Sequence, residues 1–151
     1  MSASKLYNTS SLDGILFDMD GTVLDSEGLF DRAQLRLLDE YGITVDADAL
    51  SEFKGMSYKH FYPQFMNKFS ITGDVDSIRL KLRTYLHAIM ETDLRYIDGF
   101  ERFYEQFIRD VDIKVGIVTN TTRLSYDKIE SCVNINKYFK YSITSTESID
   151  P

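Results

Sequence analysis

The distribution of apolar residues along the chain predicts three short strands. The run GILFD at residues 14–18 ends abruptly in charge, which is typical of a buried parallel strand whose carboxyl end meets solvent. A second run, IKVGIVTN at residues 113–120, also ends in polar residues. The segment YFKYSITST at residues 138–146 contains a third strand. Helical segments separate these runs, and this alternation predicts a parallel sheet with right-handed crossovers.

Apolar positions between the first two strands recur with a helical period. Residues 27–42 carry a stripe of four apolar or aromatic side chains ending before a glycine: Leu29, Ala33, Leu37 and Tyr41. Residues 46–55 predict a short helix closed by a glycine, and residues 74–92 predict a long amphipathic helix. Residues 57–70 also read as helical, but Pro63 lies too deep for a first turn. We therefore expect a kink or two short helices there.

The helical block is too long to be one crossover connection. It runs from about residue 30 to residue 94, and helix–strand–helix–strand follows it. The sequence therefore predicts an α/β fold, with a Rossmann-like parallel sheet core and an inserted α-helical cap. We assign residues 1–27 and 95–151 to the core and residues 28–94 to the cap.

Composition narrows the range of partners. The formal net charge of −7 disfavours nucleic acids and anionic membranes as partners. A small phosphorylated substrate is still compatible with this charge, because a local cation can reverse the field inside a pocket. The single cysteine, Cys132, cannot form an intrachain disulfide, and no apolar run approaches the roughly 20 residues that span a bilayer. These features predict a cytoplasmic protein without a membrane segment, and they leave the oligomeric state open.

Polar clusters follow two of the predicted strands. Asp18 and Asp20 end the first, and Thr119 and Asn120 end the second. Ligands of open α/β sheets bind at the carboxyl ends of the strands, so these side chains are expected in one crevice. Two close carboxylates raise each other's pKa unless a cation such as Mg²⁺ lies between them. One carboxylate could then act as a nucleophile and the other as a general acid.

Simpler structural interpretations stay open for these residues. Aspartates at strand ends are often turn formers or helix caps. Asn and Thr are common N-cap residues, so TNTT at residues 119–122 is a weak signal by itself. Gly21 permits a tight turn beside a bound phosphate.

Two motifs resemble those of a known family. FDMDGTVLDS at residues 17–26 resembles the first signature motif of the haloacid dehalogenase superfamily, and IVTNTT at residues 117–122 resembles the second. The helical block resembles the cap of the branch that includes phosphoglycolate phosphatase-like and β-phosphoglucomutase-like enzymes. FKGMS at residues 53–57 is similar to a cap loop of that branch. The resemblance extends from about Gly14 to the end of the chain.

The resemblance implies a role for each matching residue. Asp18 would be the nucleophile that forms an aspartyl-phosphate, and Asp20 would be the acid/base. Both aspartates would bind Mg²⁺, Asp20 also through its backbone carbonyl. Thr119 would hydrogen-bond the transferring phosphoryl group, with Asn120 and Gly21 beside it. The substrate, a small phosphorylated metabolite, would be selected by residues of the cap: Lys54, Gly55, Ser57 and Tyr58.

Two departures from the family pattern affect the expected function. Phe30 and Tyr58 stand where the mutase subgroup has His and Arg, which favours a phosphatase over a phosphosugar mutase. After residue 141 we find neither the third-motif Lys nor the fourth-motif acidic cluster. We therefore expect a core that is incomplete at its C-terminus, in either a fragment or a truncated relative, with an exposed apolar strand near Ile143. A catalytically impaired remnant that serves as a binding or regulatory module is the alternative function, and a mutase is a weaker one.

Overall fold

The computed structural model describes residues 12–145, which contain one parallel sheet. Its strands are β1 (Gly14–Asp18), β2 (Lys114–Thr122) and β3 (Tyr141–Ser145), in the spatial order β1-β2-β3. Phe17 pairs with Ile117, and Ile117 pairs in turn with Ser142. The prediction of an α/β fold with a parallel sheet is confirmed.

The helices occur in the predicted order. They are α1 (Glu27–Glu40), α2 (Tyr58–Lys68), α3 (Val75–Asp93), α4 (Phe100–Phe107) and α5 (Arg123–Val133). Short 3₁₀ helices span Ala47–Phe53 and Ile135–Lys137. Across residues 12–145, no helix combines the length and the apolar character needed to cross a lipid bilayer.

The chain divides into two compact units. One comprises Met1–Asp25 and Arg95–Pro151, of which residues 12–25 and 95–145 are described, and the other comprises Ser26–Leu94. The first unit contains the sheet with α4 and α5, and the second contains α1, α2 and α3. That the second unit acts as a substrate cap, as assigned to residues 28–94, stays a prediction.

Aromatic side chains cover one face of the sheet. Phe17 of β1 contacts Phe100 of α4 and Phe139, with ring centroids 6.4 and 5.6 Å apart. Ile117 in the central strand is fully buried, and Tyr126 of α5 is only 1% exposed. This face is the hydrophobic core of the α/β unit.

The opposite face of the sheet is open across the described residues. Leu16, Val118 and Ile143, one from each strand, are 68%, 37% and 59% exposed. Gly116 lies on the same face, because a Cβ placed on it would be 3.0 Å from Cδ2 of Leu16. The prediction that β1 is buried is therefore wrong, since helices within residues 12–145 pack on only one face. Ile143 is exposed, as the sequence predicted.

The helical unit has its own core. The apolar stripe of α1 is buried at Leu29, Ala33 and Leu37, whereas Tyr41, the C-cap residue, is 38% exposed. Helix α1 packs against α3, which buries Ile78, Leu82, Ile89 and Met90.

The prediction of a kink or two helices at Pro63 is wrong. Helix α2 runs without a break from Tyr58 to Lys68, with Pro63 inside it. Pro63 is exposed, while Phe61 and Phe65 are buried and their rings stack with centroids 5.2 Å apart. Aromatic packing on the buried face stabilises the helix against the loss of one backbone hydrogen bond on the exposed face.

Candidate active site

A tight turn presents the two aspartates of the first motif. Asp18 is the last residue of β1. Asp18 and Asp20 are exposed, whereas Met19, which lies between them, is fully buried. The Met19 carbonyl accepts the N–H groups of Val23 and Leu24 at 2.9 and 3.0 Å. Because Met19 points into the core and its carbonyl closes the turn, both carboxylates lie on the solvent side.

Gly21 adopts a backbone conformation that favours glycine. Its φ angle is +73°, and its N–H donates to the Leu24 carbonyl over 2.9 Å. A side chain at this position would strain the backbone. The tight turn predicted at Gly21 is therefore present, whereas its place beside a bound phosphate stays a prediction.

The third aspartate of the motif has a structural role. Asp25 accepts hydrogen bonds on Oδ2 from Nε and Nη2 of Arg95, over 3.0 and 2.9 Å. The Asp25 N–H also donates to the Arg95 carbonyl at 3.0 Å. The hydrogen bond to the Asp25 carboxylate raises the pKa of Arg95 above its usual value.

The second motif lies in an irregular end of β2. Val118 pairs with Ile143 and Thr122 pairs with Ser145, so β2 advances four residues while β3 advances two. The Ser145 hydroxyl donates to the carbonyl of Asn120 over 2.6 Å and so holds the extra residues against β3. Such bulges redirect side chains and are common beside active sites.

The structure joins the two motifs through hydroxyl groups. Oγ1 of Thr119, which is 5% exposed, lies 3.4 Å from Oδ2 of Asp20. Oγ1 of Thr121 lies 3.4 Å from the same oxygen, and the Thr121 N–H donates to Oγ1 of Thr119 over 3.1 Å. Asp20 and Thr119 were both expected at this position. Thr121 was missed, although strand alternation places it on the same side as Thr119.

The segment that follows the first of the two 3₁₀ helices contains two of the four residues expected to select the substrate. Lys54 is exposed, and its Nζ lies 3.6 Å from Oδ2 of Asp31. Gly55 has a φ angle of +74°, which explains the glycine at this turn. Both residues lie in the helical unit, and their role in substrate selection stays a prediction.

Ser57 and Tyr58 begin helix α2. Ser57 is the N-cap residue as predicted, but its Oγ lies 3.0 Å from Nδ1 of His60 and makes no capping hydrogen bond. Tyr58 is 44% exposed, and its ring stacks on Tyr62 with centroids 6.1 Å apart. A role of Ser57 and Tyr58 in specificity likewise stays a prediction.

The chemistry of the donors at the strand ends suits a hard divalent cation. Asp18 and Asp20 offer carboxylate oxygens, and Mg²⁺ is commonly held by one or two carboxylates together with water and substrate phosphate. Residues 12–145 contain no cluster of three or more His, Cys, Asp or Glu side chains placed to hold a metal. Residues 12–145 therefore fit Mg²⁺ held by one or two carboxylates with water and phosphate, and they do not form a closed metal cage.

Comparison with known proteins identifies the class. The haloacid dehalogenase-like hydrolase family matches residues 15–150, which include both motifs. The chain therefore belongs to this family. It is 22% identical over 128 residues to a phosphorylated carbohydrates phosphatase of Thermotoga maritima, with 85% of the chain and 59% of that protein covered. It is 24% identical over 136 residues to the pyrophosphatase PpaX of Oceanobacillus iheyensis, with 89% of the chain and 60% of that protein covered.

Solved structures show the same fold. A putative β-phosphoglucomutase from Thermotoga maritima superposes with a TM-score of 0.74 at 21% identity, covering 88% of this chain and 61% of that one. At this identity the likeness establishes the fold alone. The chain spans about three fifths of the length of these relatives.

Proposed function

We propose that this protein is a Mg²⁺-dependent phosphatase that hydrolyses a small phosphorylated metabolite through an aspartyl-phosphate. Membership of the hydrolase family and relatives named as phosphatases support this proposal. The observation that carries it is the convergence of Thr119 and Asp20 at the carboxyl ends of β1 and β2, with Asp18 as the last residue of β1.

The proposed reaction has two steps. A carboxylate oxygen of Asp18 attacks phosphorus, and the bond between phosphorus and the ester oxygen breaks. The Asp20 carboxyl donates its proton to the leaving oxygen, and the Thr119 hydroxyl donates a hydrogen bond to the phosphoryl group. Asp20 then accepts a proton from water as the water attacks phosphorus, releasing inorganic phosphate and restoring Asp18.

Asp18 would hold the metal through its carboxylate and Asp20 through its backbone carbonyl, which leaves the Asp20 carboxyl free to transfer the proton. When bound, Mg²⁺ would offset the negative charge that accumulates between the carboxylates and the phosphate. We further propose that the helical unit selects the substrate through Lys54, Gly55, Ser57 and Tyr58, and that Asn120 and Gly21 lie beside the phosphate. We also propose that the protein is located in the cytoplasm.

Hydrolysis of a generic aryl phosphate with Mg²⁺ tests this function. Asp18→Asn should abolish turnover because an amide cannot serve as the nucleophile. Asp25→Asn is the matched control, since Asp25 belongs to the same motif but is paired with Arg95. Equal rates for the parent and Asp18→Asn in an active preparation would rule out Asp18 as the nucleophile.

A binding or regulatory module is the second candidate function. One observation favours it: Leu16, Val118 and Ile143 form an apolar face that is open across residues 12–145. Turnover and tight Mg²⁺ binding by this polypeptide with no added chain would exclude this candidate. Absence of both, in a folded preparation, would favour it over the phosphatase.

A further inference from the structure

We propose that Thr121 is a positioning residue that orients the carboxylate of Asp20. The inference rests on the proposed function, in which Asp20 transfers the proton. Thr121 lies in the bulged end of β2 and is half-buried, and its Oγ1 is 3.4 Å from Oδ2 of Asp20. When Asp20 is ionised its carboxylate can only accept, so the Thr121 hydroxyl is then the donor.

The hydrogen bonds around Thr119 make Thr121 part of a connected unit. The Thr121 N–H donates to Oγ1 of Thr119, which occupies a lone pair of that oxygen and leaves its proton to point towards Asp20. The backbone of Thr121 therefore orients Thr119, while the side chain of Thr121 contacts Asp20 directly. Two hydroxyls converge on one oxygen, Oδ2, of the same carboxylate.

This arrangement limits the rotamers that the Asp20 carboxylate can adopt. Asp20 is exposed on a turn, where an unrestrained carboxylate would sample several rotamers. Proton transfer requires the carboxyl group to be held close to its productive geometry. The contacts are long for hydrogen bonds between oxygens, so each is weak, and in the ligand-free protein the pair of hydroxyls together restricts the carboxylate. With substrate bound, the single proton of the Thr119 hydroxyl goes to the phosphoryl group, and Thr121 continues to hold Asp20.

The bulge explains how two threonines in one strand reach the same oxygen. Residues 119–121 of β2 lie opposite a single residue of β3, an excess of two, and the Ser145 hydroxyl anchors the carbonyl of Asn120 in the middle of this segment. Asn120 is exposed, and Thr119 and Thr121 flank it on the side of Asp20. Thr122, the next residue, caps α5 by accepting the Ser125 N–H, which fixes the end of the bulge.

A double-mutant cycle between Asp20→Ala and Thr121→Val tests the inference without ligand or turnover. Valine keeps the shape and the N–H of Thr121 and removes only the hydroxyl. Native-state hydrogen exchange of the Ile117 amide, in the paired part of β2, reports the opening equilibrium of this unit. We expect the two changes to be non-additive by about threefold in the opening constant, the lower range for a hydrogen bond.

Matched variants make the cycle specific. Asp18→Ala removes the same charge two residues away and should be additive with Thr121→Val. Thr121→Ser keeps the hydroxyl and should retain the full coupling to Asp20. If Asp20→Ala does not fold, Asp20→Asn replaces it, with roughly half the logarithmic coupling because a neutral acceptor is weaker than a carboxylate.

The outcomes separate this inference from the proposed function. Additivity of the Asp20 and Thr121 changes would overturn the positioning role, whether or not the protein hydrolyses phosphate esters. Coupling without turnover would support the positioning role and count against the phosphatase. Where turnover occurs, Thr121→Val should lower kcat and leave KM unchanged, and Thr121→Ser should restore kcat. Equal kcat values for the parent and Thr121→Val would contradict the role.

Discussion

The Thr119 hydroxyl lies 3.4 Å from Oδ2 of Asp20, although 99 residues separate them in sequence. Parallel pairing of β1 with β2 brings them together, because Asp18, the last residue of β1, pairs with Val118, the residue before Thr119. The core unit alone therefore unites the two motifs. This unit contains four residues that are proposed to take part in phosphoryl transfer: Asp18, Asp20, Gly21 and Thr119.

Thr119→Val is expected to lower kcat about 100-fold, the lower range for loss of one donor to a developing negative charge. Thr119 is nearly buried, and valine has the same shape without the hydroxyl. Steady-state hydrolysis of an aryl phosphate measures the effect. Thr119→Ser is the matched control and should retain most of the activity. Equal losses in both variants would contradict a specific role of the hydroxyl.

The apolar pattern predicted the elements well because periodicity depends on local sequence. It located β1 at Gly14–Asp18 and the stripe of α1 at Leu29, Ala33 and Leu37, and the structure confirms both. Burial of β1 was predicted wrongly, because burial depends on which elements cover each face of the sheet. The local sequence GILFD does not indicate which elements cover each face of the strand.

The candidate site was predicted in part for a similar reason. Asp20 and Thr119 follow apolar runs, so their position at strand ends could be inferred from sequence. The contact between Thr121 and Asp20 depends on the bulge, which in turn depends on pairing of Thr122 with Ser145. That register is a tertiary property. Strand alternation could have identified Thr121 as a candidate but could not have placed it on Asp20.

Pro63→Ala is expected to stabilise the helical unit by roughly 1–3 kcal/mol, because alanine restores a backbone donor and has high helix propensity. Pro63 is exposed, so little packing is lost. The free energy of unfolding in urea measures the change. Gln64→Ala, at the exposed neighbouring position, should alter stability by less than about 0.5 kcal/mol. Destabilisation by Pro63→Ala would show that the proline ring contributes more than its missing N–H costs.

Gly21→Ala should destabilise the α/β unit by about 1–2 kcal/mol, the usual cost of a left-handed conformation for a residue with a Cβ. The φ angle of Gly21 is +73°. Gly28→Ala is the control, since Gly28 lies in α1 and a Cβ there meets no atom within 4 Å. Gly28→Ala should be neutral or stabilising. Both changes are measured by urea unfolding, and equal effects would refute the conformational argument.

The cap of α3 is expected to depend on pH. The N–H and hydroxyl of Ser77 donate to the Asp74 carboxylate and hold the pKa of Asp74 below its ordinary 3.8. Because the folded pKa is the lower one, this stabilisation is present above the unfolded pKa. It is lost as the pH falls through the folded pKa.

Asp74→Ala should therefore destabilise the helical unit at neutral pH, and the difference from the parent should shrink in acid. Asp74→Asn keeps a capping side chain without the charge, so this contribution to the pH dependence should vanish. Unfolding free energies of the three proteins across the acid range measure the effect. A constant difference between the parent and Asp74→Asn would contradict the assignment.

Chemical trapping of the aspartyl-phosphate tests the nucleophile most directly. The protein is incubated with Mg²⁺ and a phosphate ester, and borohydride then reduces an acyl-phosphate to the alcohol, which peptide mass spectrometry detects. We predict homoserine in place of aspartate at residue 18, absent without substrate and absent in Asp18→Asn. Turnover accompanied by modification at another carboxylate, or by none, would contradict Asp18 as the nucleophile.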